Sequence, residues 1–170
     1  QINTTYEGSR VVGSVEPVIE GKKVVNWGFV YGLDAVKNDK TGITNEDLYI
    51  REDNEYIKAY ESTPQGTLQE KYGKSDTAAY FARTMRFGKK NVTAFTSRYK
   101  VRAYALMEDG TYLYSDVAEY TVYDVADQLY QDSKFMTLDS HNYAYNTILK
   151  LVNPNYQKLE YGWGSSLVKP

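Results

Sequence analysis

The chain has no cysteine and a single histidine, His141, among its 170 residues. The lack of cysteine excludes disulfide bonds, thiolate metal sites and cysteine nucleophiles, and it leaves oxidising and reducing compartments equally open. A lone histidine is a weak basis for acid–base catalysis or zinc binding, because both need further convergent groups. We therefore expect His141 to be a surface residue, and we expect no metal and no cofactor.

Long hydrophobic runs and a strong net charge are also missing. No apolar stretch approaches the roughly 18 to 20 residues that a membrane-spanning helix needs. The 20 basic and 22 acidic residues give a formal net charge of −2. Nucleic acids and anionic membranes attract chains with an excess of positive charge. The composition therefore predicts no membrane span and no nucleic-acid partner.

Spacing patterns typical of catalysis or phosphate binding are absent from the sequence as well. The acidic pairs Glu46-Asp47 and Glu52-Asp53 are adjacent, so in a strand their carboxylates point to opposite faces. The oxygen-rich segment from Asp34 to Glu46 does not follow the calcium-loop spacing, and we read it as a solvated loop. These observations predict that the chain is not an enzyme.

Tyrosine is unusually abundant, with 18 tyrosines against five phenylalanines. A tyrosine packs its ring while its hydroxyl stays in water, which suits half-buried strand faces in an extracellular β protein. The same side chain also suits contact with sugars or with protein partners. Composition alone leaves both interpretations open.

The period of the apolar residues changes along the chain. In VVNWGFVYGL, residues 24–33, the side chains of Trp27, Phe29 and Tyr31 share one face at period two, which predicts a core strand. After Val122 the period becomes about 3.6, which predicts two helices, the second of which ends before Asn153-Pro154. The sequence therefore predicts a mainly β domain over residues 1–122 and a helical extension over residues 123–170 that packs on the same domain.

A hairpin is predicted around Asp109-Gly110. This dipeptide favours a two-residue type I′ turn, in which both central residues have positive φ. That turn would place Met107 opposite Tyr112, and Ala105 opposite Tyr114. Continued pairing would bury the carboxylate of Asp116, so we expect a bulge near Ser115-Asp116.

The segment VTAFTSRYKVRAYALMEDGTYLYSDVAEYTV, residues 92–122, resembles the penultimate-strand region of fibronectin type III and immunoglobulin-like sandwiches. The resemblance rests on Tyr99-x-Val101-x-Ala103 after a polar turn, and it implies that Tyr99 is the corner tyrosine. Together with VVNWGFVYGL, the segment is similar to modules of large secreted or cell-surface proteins of Gram-positive bacteria. The implied fold is an antiparallel immunoglobulin or fibronectin type III-like β-sandwich, located outside the cell.

The resemblance implies a non-catalytic structural or adhesive module of a larger bacterial surface or secreted protein. Its partners would be neighbouring domains of the same protein, or a protein or glycan ligand. The alternative is a carbohydrate-binding module that uses exposed tyrosine and tryptophan rings. For such a site we expect Trp163 and Tyr161 in EYGWGSS, together with Tyr104 and Arg102 of the hairpin.

Overall fold

The computed structural model of the chain describes residues 6–33, 43–50, 57–61, 79–88, 92–132 and 143–163. Its strands are β1 (Tyr6–Val15), β2 (Val18–Ile19), β3 (Lys22–Leu33), β4 (Lys58–Glu61), β5 (Ala79–Gly88), β6 (Tyr99–Met107), β7 (Tyr112–Tyr114) and β8 (Ala118–Tyr120). Its helices are α1 (Val92–Thr96), α2 (Val122–Gln131), α3 (Tyr143–Val152) and α4 (Pro154–Tyr156), with a 3₁₀ turn at Asn45–Asp47 and a π-helical turn at Gln157–Tyr161. The prediction of a mainly antiparallel β protein is confirmed.

The long strand β3 is the centre of a six-stranded sheet. β6 pairs with one edge of β3, and β2 and β4 pair with the other edge. β7 and β8 pair in turn with β6, which extends the sheet on that side. Strand β1 ends before Pro17, a residue that cannot donate a backbone hydrogen bond to a ladder.

A second, two-stranded sheet consists of β1 and β5. Phe81 of β5 is fully buried, and its ring centroid lies 4.8 Å from that of Phe29 on β3. Phe29, Tyr99 and Val101 are buried on this face of the large sheet, as the period-two pattern predicts. Trp27 and Tyr31, which the same pattern predicts to be core residues, occupy this face and are partly exposed.

The other face of β3 has its own core. Val30 packs with Ile43, Leu48, Ile57 and Tyr104, and all five side chains are buried. Ile43 and Leu48 belong to the segment around the 3₁₀ turn, in which Asp47 accepts hydrogen bonds from the backbone nitrogen and the hydroxyl of Thr44. This turn therefore presents apolar side chains to the sheet while its polar residues face solvent.

The β6–β7 hairpin differs from the predicted one by one residue. Leu106 lies opposite Tyr112 and Tyr104 lies opposite Tyr114, and the loop contains three residues. Gly110 has a φ of 85°, whereas Asp109 does not have positive φ. The cause is the Asp109 carboxylate, which accepts from the backbone nitrogen of Thr111 at 3.0 Å and from Lys22 Nζ at 2.5 Å. The type I′ prediction for this loop is wrong; two consecutive positive φ values occur instead at Glu20-Gly21, between β2 and β3.

The strands are interrupted near Ser115-Asp116, where the sequence predicts a bulge. β7 ends at Tyr114 and β8 begins at Ala118. The Ser115 hydroxyl accepts from the backbone nitrogen of Ala103 at 3.0 Å, while Asp116 is exposed. Beyond the interruption, Lys100 and Glu119 form an ion pair at 3.3 Å.

The predicted helices α2 and α3 are also present, and α3 ends before Asn153-Pro154. Thr121 caps α2 by accepting from the backbone nitrogen of Asp124 at 2.9 Å. The short helix α1 was not predicted, because a five-residue helix carries too little periodicity to be read from the sequence. Its Phe95 contacts Tyr123 of α2 edge-to-face, with ring centroids 5.6 Å apart.

The chain divides into two compact units that alternate along the sequence. A sheet unit contains Arg10–Met85 and Tyr99–Glu119, and a helical unit contains Gln1–Ser9, Arg86–Arg98 and Tyr120–Pro170. The boundary expected between residues 122 and 123 remains a prediction about how the chain is organised into domains.

Candidate functional site

The one-residue difference in register decides which side chains share a face of the large sheet. Since directly opposed residues point to the same side, Tyr112 and Tyr114 join Tyr104 and Arg102. The predicted register would have placed both tyrosines with Ala105 and Met107 instead. We call Arg102, Tyr104, Tyr112 and Tyr114 the tyrosine cluster.

The rings of the tyrosine cluster contact one another. Tyr112 and Tyr114 are two residues apart on β7, with ring centroids 6.2 Å apart and planes 20° apart. Tyr104 meets Tyr112 edge-to-face, with centroids 6.0 Å apart. Tyr112 is the most open member, with 36% of its surface exposed, whereas Tyr104 has 6%.

Arg102 and Tyr114 connect the cluster to the segment before β4. The Arg102 Nε donates to the Leu48 carbonyl oxygen, and the Tyr114 hydroxyl accepts from the Ile50 backbone nitrogen at 2.8 Å. The guanidinium carbon of Arg102 lies 4.2 Å from the centroid of the Tyr114 ring. A cation so placed is attracted to the negative face of the ring, so Arg102 is held from two directions.

Burial changes the acidity of Tyr104. Desolvation is the largest cause, followed by the negative charge of Glu61, and together with the neighbouring tyrosines they raise its pKa to about 12. Gly28 allows this burial, because a Cβ there would lie 3.0 Å from Tyr104 Cε1 and 1.8 Å from the Tyr60 carbonyl oxygen. Tyr104 therefore packs as a neutral phenol close to the backbone of β3.

Two polar side chains share this face. Asn26 lies across from Leu106, and Glu61 lies across from Gly28, the neighbour of Tyr104. The Asn26 side-chain oxygen accepts from the backbone nitrogen of Trp27 at 2.6 Å. An amide and a carboxylate therefore lie on the same face as the open ring of Tyr112.

Trp163 belongs to the helical unit. It is buried, with 8% of its surface exposed, and its ring centroid lies 4.9 Å from that of Phe95. Tyr161 ends the π-helical turn, and its side chain lies outside the described part of the structure. The predicted site residues therefore fall into two groups: Arg102 and Tyr104 in the sheet unit, and Tyr161 and Trp163 in the helical unit.

An open groove of about 600 Å³ lies along β1 in the sheet unit. It is lined by residues 11–14 of β1, by Phe29 and Tyr80, and by residues 101–103 of β6. Ser115 and Asp116 of the strand interruption also line it. The groove is largely apolar, and Asp116 is the carboxylate in its lining.

Among the described residues, no group of three or more histidine, aspartate or glutamate side chains is arranged to hold a metal ion. The described residues do not include His141, which was considered as a metal ligand, or three residues of the segment considered as a calcium loop, Asp34, Asn38 and Asp39. In the described segments, no helix is long and apolar enough to cross a membrane.

Sequence reasoning did not identify Tyr112, Tyr114, Asn26 or Glu61 as neighbours of Tyr104. The first two were placed on the wrong face by the hairpin register, and the other two come from different strands. A three-residue loop ending in Gly110 was the alternative that would have found the tyrosines. Comparison of the chain with protein-family models, with curated proteins and with solved structures gives no match.

Proposed function

We propose that this chain is a non-catalytic structural or adhesive module of a larger bacterial surface or secreted protein, with an immunoglobulin or fibronectin type III-like fold. The support for the fold and the location is the resemblance of residues 92–122, and two sheets in contact through Phe29 and Phe81 further support the fold. The support for the structural role comes from the contacts that aromatic and cationic side chains make within the fold. One observation carries most weight: Trp163 is buried against Phe95.

A binding platform and a structural contact make opposite demands on an aromatic ring. A platform needs an open ring face beside free hydrogen-bonding groups, whereas a structural contact needs a ring covered by other side chains. Trp163 and Tyr104 are covered, with 8% and 6% of their surfaces exposed. Arg102 already donates to the Leu48 carbonyl oxygen. Three of the residues expected at a ligand site therefore make contacts within the folded chain instead.

The test is a Trp163→Ala variant. Truncating a large buried aromatic residue costs about 3 to 5 kcal/mol, so we expect a loss of that size in the free energy of unfolding. Tyr156→Ala is the matched control, because Tyr156 is 40% exposed in the same unit, and we expect a change within about 0.5 kcal/mol. Urea unfolding followed by far-ultraviolet circular dichroism measures both. Unchanged stability of Trp163→Ala would contradict the structural role.

Carbohydrate binding is the second candidate, and Tyr112 is the observation that favours it. The Tyr112 ring is 36% exposed and nearly parallel to that of Tyr114. The apolar face of a sugar stacks on such rings, while the sugar hydroxyls bond to amides and carboxylates. Asn26 and Glu61 present those groups on the same face of the sheet.

Affinity electrophoresis in gels containing a panel of bacterial and plant polysaccharides tests this candidate. Retardation that is lost in Tyr112→Ala and retained in Tyr156→Ala would support a glycan site at the tyrosine cluster. Both replaced tyrosines are exposed, so Tyr156→Ala shows whether the loss of any exposed tyrosine affects retardation. Equal migration of the wild type in all gels would leave the structural role as the function that stands.

A further inference from the structure

A second pair of tyrosines lies on the face of the large sheet opposite the tyrosine cluster. Tyr31 of β3 and Tyr60 of β4 stack with ring centroids 5.4 Å apart and planes 9° apart. Their hydroxyl oxygens are 3.1 Å apart, within hydrogen-bonding distance. One phenol therefore donates a hydrogen bond to the oxygen of the other.

Arg83 of β5 adds a positive charge beside Tyr60. Its guanidinium carbon lies 3.7 Å from the centroid of the Tyr60 ring. A cation on a phenol ring is attracted to the ring and, more strongly, to the phenolate that forms on loss of the proton. Arg83 is exposed and Tyr60 is partly exposed, so solvent and small reagents reach the pair.

The surroundings separate the acidities of the two phenols. The hydrogen bond from Tyr31 is the largest cause that shifts the pKa of Tyr60, and together with the nearby Arg83 and Lys58 it lowers that pKa despite partial burial. Burial is the largest cause for Tyr31 and raises its pKa, with further contributions from Tyr60 and Tyr99. Tyr60 is therefore the member of the pair that loses its proton more readily, and the Tyr31 hydroxyl then donates to its oxygen.

We propose that Tyr60 is a nucleophilic tyrosine, at which this chain is modified by acyl donors that carry a good leaving group. The Tyr60 hydroxyl loses its proton to solvent, and its oxygen attacks the carbonyl carbon of the donor. A carbon–oxygen bond forms to the acyl group, the bond from the carbonyl carbon to the leaving group breaks, and the leaving group takes up a proton. The Tyr31 hydroxyl and Arg83 stabilise the attacking phenolate, which is how proteins activate weak nucleophiles.

This proposal is independent of the proposed function. If exposure alone governed the reaction, tyrosines other than Tyr60 would be modified first. Tyr112 and Tyr156 are 36% and 40% exposed, so a reagent limited only by access would modify them first. At pH 8 an ordinary tyrosine is about 1% ionised, and each unit by which its pKa is lowered raises that fraction about tenfold. Activation and access therefore rank the three tyrosines in opposite orders.

The experiment treats the folded chain at pH 8 with limiting N-acetylimidazole and follows the acetylation of each tyrosine by peptide mass spectrometry. We expect Tyr60 to react faster than Tyr112 and Tyr156, although both of those tyrosines are more exposed. Arg83→Gln and Tyr31→Phe should each bring the Tyr60 rate down to that of Tyr156. Arg86→Gln, which removes another exposed arginine of β5, should leave the Tyr60 rate unchanged.

A measurement on the unmodified wild type complements the variants, in case Tyr31→Phe does not fold. Absorbance at 295 nm should show a tyrosine that ionises at lower pH than the others, and this early step should disappear in Arg83→Gln. The proposal would be overturned if Tyr60 reacts no faster than the two exposed tyrosines. It would equally be overturned if Arg83→Gln changes neither the Tyr60 rate nor the absorbance titration.

Discussion

Phe81→Ala should strongly destabilise the sheet unit, because Phe81 joins the two sheets. Phe81 is 0% exposed, and its ring centroid is 4.8 Å from that of Phe29. Truncating a buried phenylalanine costs about 3 to 5 kcal/mol, of which about 0.5 to 1.5 kcal/mol reflects aromatic contact beyond burial. We therefore expect the free energy of unfolding to fall by about 4 kcal/mol.

A second substitution makes this prediction specific to the contact. A Cβ at Gly13 would lie 2.8 Å from Phe81 Cζ and 3.1 Å from Phe29 Cζ. In the wild type, Gly13→Ala should therefore be destabilising, by about 1 to 3 kcal/mol for overpacking. In the Phe81→Ala background the closer of these contacts is gone and only the contact with Phe29 remains, while an alanine in a strand gains about 0.5 to 1 kcal/mol relative to glycine. The cost of Gly13→Ala should therefore be smaller in that background than in the wild type.

Urea unfolding of the wild type, the two single variants and the double variant gives the coupling energy. Far-ultraviolet circular dichroism and tryptophan fluorescence should report coincident transitions if unfolding is two-state. Val25→Ala is the control, since Val25 is 56% exposed and its truncation should change stability by less than about 0.5 kcal/mol. A cost below about 1 kcal/mol for Phe81→Ala, or the same effect of Gly13→Ala in both backgrounds, would refute the packing of the two sheets through these residues.

Three further predictions concern a tyrosine, a turn and a helix cap. Burial raises the pKa of Tyr104 in the folded chain to about 12, above the ordinary value of about 10. The contribution of the neutral Tyr104 phenol to stability is therefore complete below pH 10 and is lost as the pH rises towards 12. Tyr104→Phe should reduce this alkaline loss of stability in unfolding measurements between pH 10 and pH 12. Gly110→Ala should cost about 1 to 2 kcal/mol in urea unfolding, because Gly110 has a φ of 85°, and an unchanged midpoint would argue against the three-residue loop. Thr121→Ala removes the acceptor for Asp124 N and should cost about 1 to 2 kcal/mol; retained thermal stability would contradict the cap.

The sequence alone determined those strands and helices in which apolar residues recur at a regular spacing. Alternating apolar residues predicted the long strand β3 and the burial of Phe29, because period two follows from the backbone of any strand. The stripes after Val122 predicted α2 and α3, and Asn153-Pro154 predicted the end of α3. Asp116 predicted a departure from regular pairing beside it, since a buried carboxylate without a partner is costly; the expected form was a bulge, and the structure has a break between β7 and β8.

The sequence alone did not determine which residues contact one another, because these contacts join residues that are distant in the chain. Asp109-Gly110 fits both a two-residue and a three-residue loop, and Lys22, 87 residues away, helps to select the second through the Asp109 carboxylate. That choice turns Tyr112 and Tyr114 to the side of Tyr104. Likewise, two glycines beside Trp163 are compatible with an exposed ring, and only contact with Phe95 determines that it is buried. Register and burial are tertiary properties, since their free energies come from contacts that no local stretch contains.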